Sequence, residues 1–243
     1  INNERKKAIL LKTNNHQSRI LESIKKDFKL KSTPNHMECF DNSNLQGTNA
    51  VSACVVFKKG KPAKNEYRHF NVKTVSGPDD FGTMREVVYR RYKRLLNENQ
   101  SLPDLIIIDG GKGQLSAANE ALQELNLKGQ VSIVGIAKRL EEIFFPEDKH
   151  PLYLDKRSES LKVIQFMRNE AHRFSIKHHR NKRSKSALQS ELEDIPGIGS
   201  KTKEILFKKF KTINAIKSAQ HDELSLAIGS SKAQLILDYF SQS

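Results

Sequence analysis

The stretch Leu105-Ile106-Ile107-Ile108-Asp109-Gly110-Gly111-Lys112-Gly113-Gln114 decides how this chain folds. Its four consecutive apolar residues predict a strand that is buried on both faces, as in the parallel strands of an α/β sheet. Asp109 closes the strand, and three glycines accompany the turn into the next helical pattern. A carboxylate at the C-terminal end of a buried strand lies at a sheet edge where metal and phosphate chemistry is usually built.

A second stretch repeats this pattern, because the apolar run 37–40 ends at Asp41 and leads into a polar segment that closes at Gly47. Alternation and turn residues predict further strands, and 3.6-residue periodicity predicts helices. The predicted strands are 37–41, 50–57, 66–73, 104–109 and 131–137, with a hairpin at 142–154. The predicted helices are 4–29, 80–96, one after Asp109, and 159–174.

Strands joined by short links pair antiparallel, whereas strands separated by a helix pair parallel. The order therefore predicts an α/β fold with a mixed five-stranded sheet and flanking helices. In helix 80–96 the apolar residues are expected inward. The basic residues of that helix are expected largely outside: Arg85, Arg90, Arg91, Lys93 and Arg94.

Composition points to a polyanionic partner. The 243 residues hold 42 Lys and Arg against 28 Asp and Glu, a net charge of +14. Spread positive charge favours nucleic acid, although a generally basic protein is the alternative. Two cysteines, Cys39 and Cys54, exclude a disulfide framework and a zinc pattern of their own and fit a reducing cytosol. We expect no membrane span, no signal peptide at the N-terminus and, since residue 1 is isoleucine, a fragment of a longer protein.

The C-terminal part of the chain has the pattern of a separate unit. Residues 177–190 are basic and poor in apolar residues, which predicts a linker, and residues 191–243 predict a small helical domain. Its glycine-bracketed turn at 195–203 has a weaker copy at 227–233, where Ala227 replaces the first glycine. Such turns offer backbone N–H groups to a phosphate; an ordinary helix corner with a glycine cap is the alternative. The predicted phosphate-binding positions are Gly197, Ile198, Gly199, Lys201, Ile228 and Gly229.

The candidate chemical residues each have a simpler interpretation. Asp41 could satisfy backbone donors of a turn, Asp109 could cap the following helix, and His172 could be structural. If the two strands are neighbours, their ends lie about 5 Å apart and the carboxylates could share one hard cation. The glycine loop 110–113 lacks the Walker spacing, so it is either a tight turn that lets backbone approach substrate or a simple strand-to-helix turn.

Three segments, 38–47, 108–115 and 168–174, closely resemble the C-terminal half of the UvrC family, the excinuclease subunit of bacterial nucleotide excision repair. The resemblance covers about residues 35–243. It implies a ribonuclease H-like endonuclease domain at 34–176, preceded by a helical segment at 1–33 and followed, after the linker, by a tandem helix-hairpin-helix domain at 191–243. The family's N-terminal GIY-YIG nuclease motif does not occur in this sequence.

The resemblance also implies a function. Asp41, Asp109 and His172 would be the catalytic and metal-binding residues, with Mg²⁺ or Mn²⁺ as cofactor, and His172 would be either a ligand or a general acid or base. Lys112, Lys138 and Arg168 would be candidates for phosphate contact. The implied reaction is the 5′-side incision of lesion-containing double-stranded DNA with UvrB, after UvrA loading, in the bacterial cytoplasm, with no membrane and no small-molecule substrate. The alternative is a non-catalytic nucleic-acid-binding scaffold with a nuclease-like fold.

Overall fold

A computed structural model of the chain describes residues 2–43, 51–72, 79–137, 142–193 and 195–241. The chain divides into two compact units, residues 1–176 and residues 177–243. Each unit has its own cluster of buried apolar side chains. Within the described ranges, no helix combines the length and apolar character that crossing a bilayer requires.

Within the described residues, the first unit is built on one sheet of seven strands. The strands are β1 (His36–Ser43), β2 (Val51–Lys58), β3 (Lys61–Pro62), β4 (Arg68–Asn71), β5 (Leu105–Asp109), β6 (Ser132–Ala137) and β7 (Glu142–Phe144). They lie in the order β3-β2-β1-β5-β6-β7, and β4 also pairs with β2. β1 pairs antiparallel with β2 and parallel with β5, which pairs parallel with β6. The predicted mixed α/β fold class is confirmed.

The strand count differs from the predicted five because two short strands extend the sheet. β3 holds only Lys61 and Pro62 and pairs with β2 across the turn at Lys59 and Gly60. β7 pairs antiparallel with β6, and the predicted hairpin of residues 142–154 is reduced to one bridge between Ile143 and Leu152. β3 is too short for alternation to reveal it in the sequence, whereas β7 lies within the predicted hairpin, which the predicted count of five did not include.

Helices cover both faces of the sheet, which explains the uninterrupted apolar run of β5. They are α1 (Asn2–Asp27), α2 (Asp80–Asn97), α3 (Lys112–Glu124) and α4 (Glu159–Glu193). The end of α1 belongs to the core, since Ile24 and the following Phe28 are buried and Ser160 of α4 donates a hydrogen bond to Ser23. The core of the first unit therefore includes side chains that precede residue 34, where the nuclease domain was predicted to begin.

A buried ion pair ties β1 to α2. Glu38 is fully buried and accepts hydrogen bonds from Arg91 Nε at 3.2 Å and Tyr92 Oη at 3.0 Å. Burial by itself would raise the pKa of Glu38, but hydrogen bonds from His36 and Arg91 and their charges outweigh it and lower that pKa to about 2. The expectation that Arg91 lies outside is wrong, because a carboxylate on a distant strand compensates its buried charge.

The second unit is all-helical. After the last part of α4 come α5 (Ser200–Phe210), α6 (Ile213–Lys217), α7 (His221–Ile228) and α8 (Ser230–Ser241). Residues 177–190, predicted as a linker, are helical and continue α4 to Glu193. This segment contains no glycine or proline, and its lysines and arginines are good helix formers, so its composition is compatible with a helix.

Candidate functional site

Asp41 and Asp109 meet at one point of the sheet. They are direct partners in the parallel register of β1 and β5. Directly paired residues of neighbouring strands point to the same face, so both carboxylates project to one side of the sheet. Asp41 is 1% exposed and Asp109 is 4% exposed. The expected neighbourhood of the two strand ends is therefore present, and it produces two adjacent buried carboxylates.

His172 reaches the same place from α4. Its Nδ1 lies 3.4 Å from Asp41 Oδ2, and half of its side chain, 51%, remains exposed. The apolar stripe of α4 directs this face of the helix to the sheet, because Ile164, Met167 and Ala171 are fully buried. A half-exposed imidazole against a buried carboxylate can hold or release a proton at the edge of the site.

Aromatic packing fixes α4 next to His172. Phe174 stacks on the ring of His69 with centroids 3.7 Å apart, and its backbone oxygen lies 3.2 Å from His69 Nε2. Tyr67 meets the same phenyl ring edge-on at 5.1 Å. His69 of β4 therefore holds α4 at Phe174, two residues after His172. Periodicity in the sequence did not predict this interaction.

Arg168 adds positive charge one helical turn before His172. It is half-buried, and its guanidinium influences the buried thiol of Cys39 two residues before Asp41. Burial raises the pKa of Cys39, the charges of Asp109 and Asp41 raise it further, and Arg168 opposes them. Cys39 thus stays a neutral thiol on the same strand as Asp41, and Arg168 is close enough to act on that thiol together with the two aspartates.

The local alternatives for the two aspartates do not fit the structure. Among the described residues, neither side-chain oxygen of Asp41 accepts a hydrogen bond, so Asp41 does not satisfy a turn. The N-cap of α3 is Gly111 and not Asp109, and no side chain caps that helix. A buried carboxylate whose oxygens receive no donor fits a cation ligand.

The donor set is small for a metal centre. In the parts of the chain that the structure describes, no three His, Cys, Asp or Glu side chains already form a metal-binding group. The contact between His172 and Asp41 is one pair, and Asp109 is the register partner of Asp41. Mg²⁺ commonly keeps several waters and uses one or two protein carboxylates together with substrate phosphate. Two adjacent aspartates therefore fit such an ion, provided that substrate and water supply the other ligands.

The glycine loop after Asp109 has open space at Gly111, whereas Gln114 packs closely on Gly110 and Phe81 on Gly113. Gly111 has ordinary backbone angles, and a Cβ added there would meet nothing within 4 Å. Leu115 is the first residue of α3 whose backbone N–H donates a helical hydrogen bond, to the carbonyl of Gly111. The preceding N–H groups have no partner within the helix and suit an anion.

Of the two lysines predicted to contact phosphate, Lys112 lies among the described residues. The ammonium of Lys112 donates to the carbonyl of Lys149 at 2.6 Å and lies over the ring of Phe144. Lys112 is thus already engaged by the segment that includes β7, although its exposed ammonium keeps further donors. Lys138 lies outside the described residues.

The first hairpin of the second unit presents an uncapped helix N-terminus. Gly197 has φ +87°, and Gly199 is the N-cap of α5 with no side-chain cap. Ile198 is buried, and its N–H donates to Ile195 within the turn, so this residue serves the fold. The open donors are the N–H groups of Ser200, Lys201 and Thr202, since Lys203 N already bonds Gly199.

The second hairpin is tighter than the first. Ala227 and Ile228 belong to α7, and the single residue Gly229, with φ +85°, joins α7 to α8. Because Ala227 is helical, its backbone angles do not require glycine. The positive φ of this turn is at Gly229 instead. The N–H of Gly229 is used by Ser225, so the open donors lie at the start of α8 and not at Ile228 or Gly229.

The two hairpins are linked inside the second unit. Lys232, in the first turn of α8, donates to Thr202 Oγ1 in the first turn of α5 at 3.2 Å. The starts of α5 and α8 therefore lie side by side. Sequence reasoning missed this pairing because the two residues belong to different copies of the motif.

Comparison with known families and proteins identifies relatives of both units. Residues 25–176 match the model of the UvrC RNAse H endonuclease domain, and residues 190–240 match that of the SAM-like helix-hairpin-helix tandem. UvrABC system protein C of Flavobacterium psychrophilum is 63% identical over 93% of this chain and 38% of its own length. The protein of the same name from Porphyromonas gingivalis is 57% identical over 96% of this chain and 39% of its own length.

The chain thus spans well under half the length of these curated relatives. Among solved structures, the crystal structure of human ENDOV covers 70% of this chain and 99% of its own, with 13% identity and a TM-score of 0.38. That distant likeness carries no functional argument.

Proposed function

The chain belongs to the UvrC RNase H endonuclease domain family, and on that premise we propose that it is a metal-dependent DNA endonuclease. Its reaction is the hydrolysis of a phosphodiester on the 5′ side of a lesion during nucleotide excision repair. The observation that carries this proposal is the pairing of Asp41 and Asp109 on one face of the sheet, with His172 against Asp41.

Asp41 and Asp109 would hold Mg²⁺ or Mn²⁺. When bound, such an ion stabilises charge on a phosphate and lowers the pKa of a water ligand. The two buried carboxylates supply negative charge that a cation must balance before a phosphate can approach. A purely binding scaffold has no use for paired carboxylates at this edge, because they repel phosphate.

The surrounding side chains would bind and orient the DNA. His172 is placed to take or give a proton at its imidazole, or to serve as a ligand. Arg168, one turn earlier on α4, offers a guanidinium for the phosphate, and the open N–H groups at the start of α3 offer further donors. Lys112 and Lys138 are further candidates for phosphate contact.

The second unit would grip the DNA backbone without reading its sequence. Uncapped helix starts at α5 and α8, together with Lys201, suit phosphate groups of a duplex. We propose as partners a lesion-containing double-stranded DNA and the UvrB–DNA complex left after UvrA loading. The location proposed is the bacterial cytoplasm.

An incision assay tests this function. The 243-residue chain is added to a labelled duplex with one lesion and a nick already present on the 3′ side, with UvrA and UvrB, in Mg²⁺, Mn²⁺ or EDTA. We expect a single cut on the 5′ side that appears with either metal and disappears in EDTA. Tight binding of the DNA without any cut, across both metals, would instead favour a non-catalytic scaffold.

A further inference from the structure

Phe81 is a large apolar side chain that the fold leaves in solvent at the edge of the candidate site. It lies in the first turn of α2, and 57% of it is exposed. Exposing an aromatic ring forgoes the stabilisation that burial would give it. The position of this ring therefore calls for an explanation beyond packing of the core.

The ring has a defined seat on the start of α3. A Cβ added to Gly113 would lie 2.5 Å from Cε1 and 2.6 Å from Cζ of Phe81, so the absence of a side chain at Gly113 makes room for the ring. The backbone of Phe81 is held as well, because the carboxylate of Asp79 accepts from the N–H groups of Phe81 and Gly82 at 3.0 Å each. Phe81 is thus pre-positioned.

Both strands that carry the aspartates lead to this ring. Asn42, which follows Asp41, donates from Nδ2 to the carbonyl of Asp80 at 2.9 Å. Gly113 belongs to the first turn of the helix that follows Asp109. Phe81 therefore lies at the same end of β1 and β5 as the two carboxylates, on the side of the sheet that α2 covers.

The cavity beside the ring suits a base better than a phosphate. Its lining is Asp79, Asp80, Phe81 and Gln114. Two acidic side chains disfavour the DNA backbone. The carboxylate of Asp79 already accepts from the N–H groups of Phe81 and Gly82, so the ring is the group of this cavity that suits a base. An aromatic face stacks on any base.

We propose that Phe81 stacks on a nucleobase that has left the helical stack next to the phosphate held at Asp41 and Asp109. The inference rests on the proposed nuclease function and names the part of the substrate that lies beside the cut. Unstacking one base costs energy, and a pre-positioned ring offsets that cost. The stacked base then determines which phosphodiester reaches the carboxylates.

A binding experiment with the whole chain tests the stacking without cleavage. In Ca²⁺, which takes oxygen ligands as Mg²⁺ does but with longer and less regular bonds, the affinity for a forked duplex is measured while one abasic analogue is moved through the nucleotides near the fork. In the unmodified chain, we expect the loss of one particular base to weaken binding by about 5- to 100-fold, the effect of one aromatic stack. In Phe81→Leu the unmodified fork should bind more weakly, and the abasic analogue at that position should cause almost no further decrease in affinity.

Two further variants separate the ring from the fold. Gly113→Ala keeps Phe81 but displaces its ring, and alanine favours a helix, so this variant should lose the base dependence while its melting temperature is maintained. Phe81→Trp should retain the dependence. Phe166→Leu is the matched control, because 50% of Phe166 is exposed and its ring packs on Phe57. Phe57 lies near the end of β2, four residues after Ala53, the residue that pairs with Asp41.

The outcomes of the two proposals are distinguishable. An abasic profile that is the same in the unmodified chain and in Phe81→Leu overturns the stacking, even if the chain cuts DNA. Coupling between the ring and one base supports the stacking, even if the incision assay gives no product, in which case only the nuclease proposal fails.

Discussion

Asp41 and Asp109 are register partners on neighbouring parallel strands, although three strands and the helix α2 lie between them along the chain. This relationship brings two buried carboxylates to one face of the sheet. Because α4 packs on the same face, the imidazole of His172 contacts the carboxylate of Asp41 directly from the helix. A change at any one of these three side chains should therefore alter the same site.

Asp41→Ala should abolish incision and leave DNA affinity nearly unchanged. Removing a metal ligand costs at least a factor of about 10² in rate, whereas DNA binding depends on other groups. Single-turnover rates at saturating Mn²⁺ and a binding titration measure the two effects. Asp155→Asn is the control, since Asp155 is an exposed aspartate paired with Arg157. Near-normal cutting by Asp41→Ala would exclude Asp41 from the site.

Glu38→Gln should lower the free energy of unfolding by about 3 kcal/mol at neutral pH. The folded pKa of Glu38 is about 2, below the ordinary value of 4.5, so the stabilisation is present above pH 4.5 and is lost as pH falls toward 2. Urea unfolding at several pH values measures the difference, which should shrink over that window. Glu98→Gln, which removes an exposed pair with Arg94, should change stability by less than about 0.5 kcal/mol. An equal effect of both variants would contradict the structural assignment.

Gly199→Ala and Gly197→Ala should affect the second unit in different ways. Gly199 has φ −80° and open space around its Cβ position, so alanine should fold normally but obstruct a phosphate at the start of α5. Gly197 has φ +87°, so alanine there should cost about 1 kcal/mol of stability. Thermal melting and DNA titration separate the two effects. Unchanged affinity in Gly199→Ala would remove this helix start from the DNA-binding surface.

Deleting residues 191–243 should weaken DNA binding and flatten its salt dependence, while metal binding is retained. The two units have separate cores, and Asp41, Asp109 and His172 all lie in the first. For duplex DNA, the slope of log K against log salt should become shallower by about 0.9 for each phosphate that the second unit neutralises. Affinity at several salt concentrations and calorimetry with Mn²⁺ provide the measurements. An unchanged slope would show that the second unit does not bind the DNA backbone.

The sequence by itself determined the order of most strands and helices and the position of Asp109 at the end of its strand, whereas β1 continues two residues beyond Asp41. Apolar runs and periodicity are local properties of the chain, and the rules for pairing strands then predicted a mixed sheet. Those rules left open whether β1 and β5 are neighbours, and the structure shows that they pair in parallel. The family resemblance assigned a catalytic role to His172. No local pattern distinguishes this residue from a structural histidine on an amphipathic helix.

Only the tertiary structure decided which distant side chains meet. Arg91 is buried because Glu38 on another strand pairs with it, and Phe81 is held because Gly113 on another helix leaves room for its ring. The helix through 177–190 and the helical Ala227 also differ from the local prediction. Periodicity reports which face of an element is apolar, but the partner of a charge or a ring depends on register and packing across the sheet.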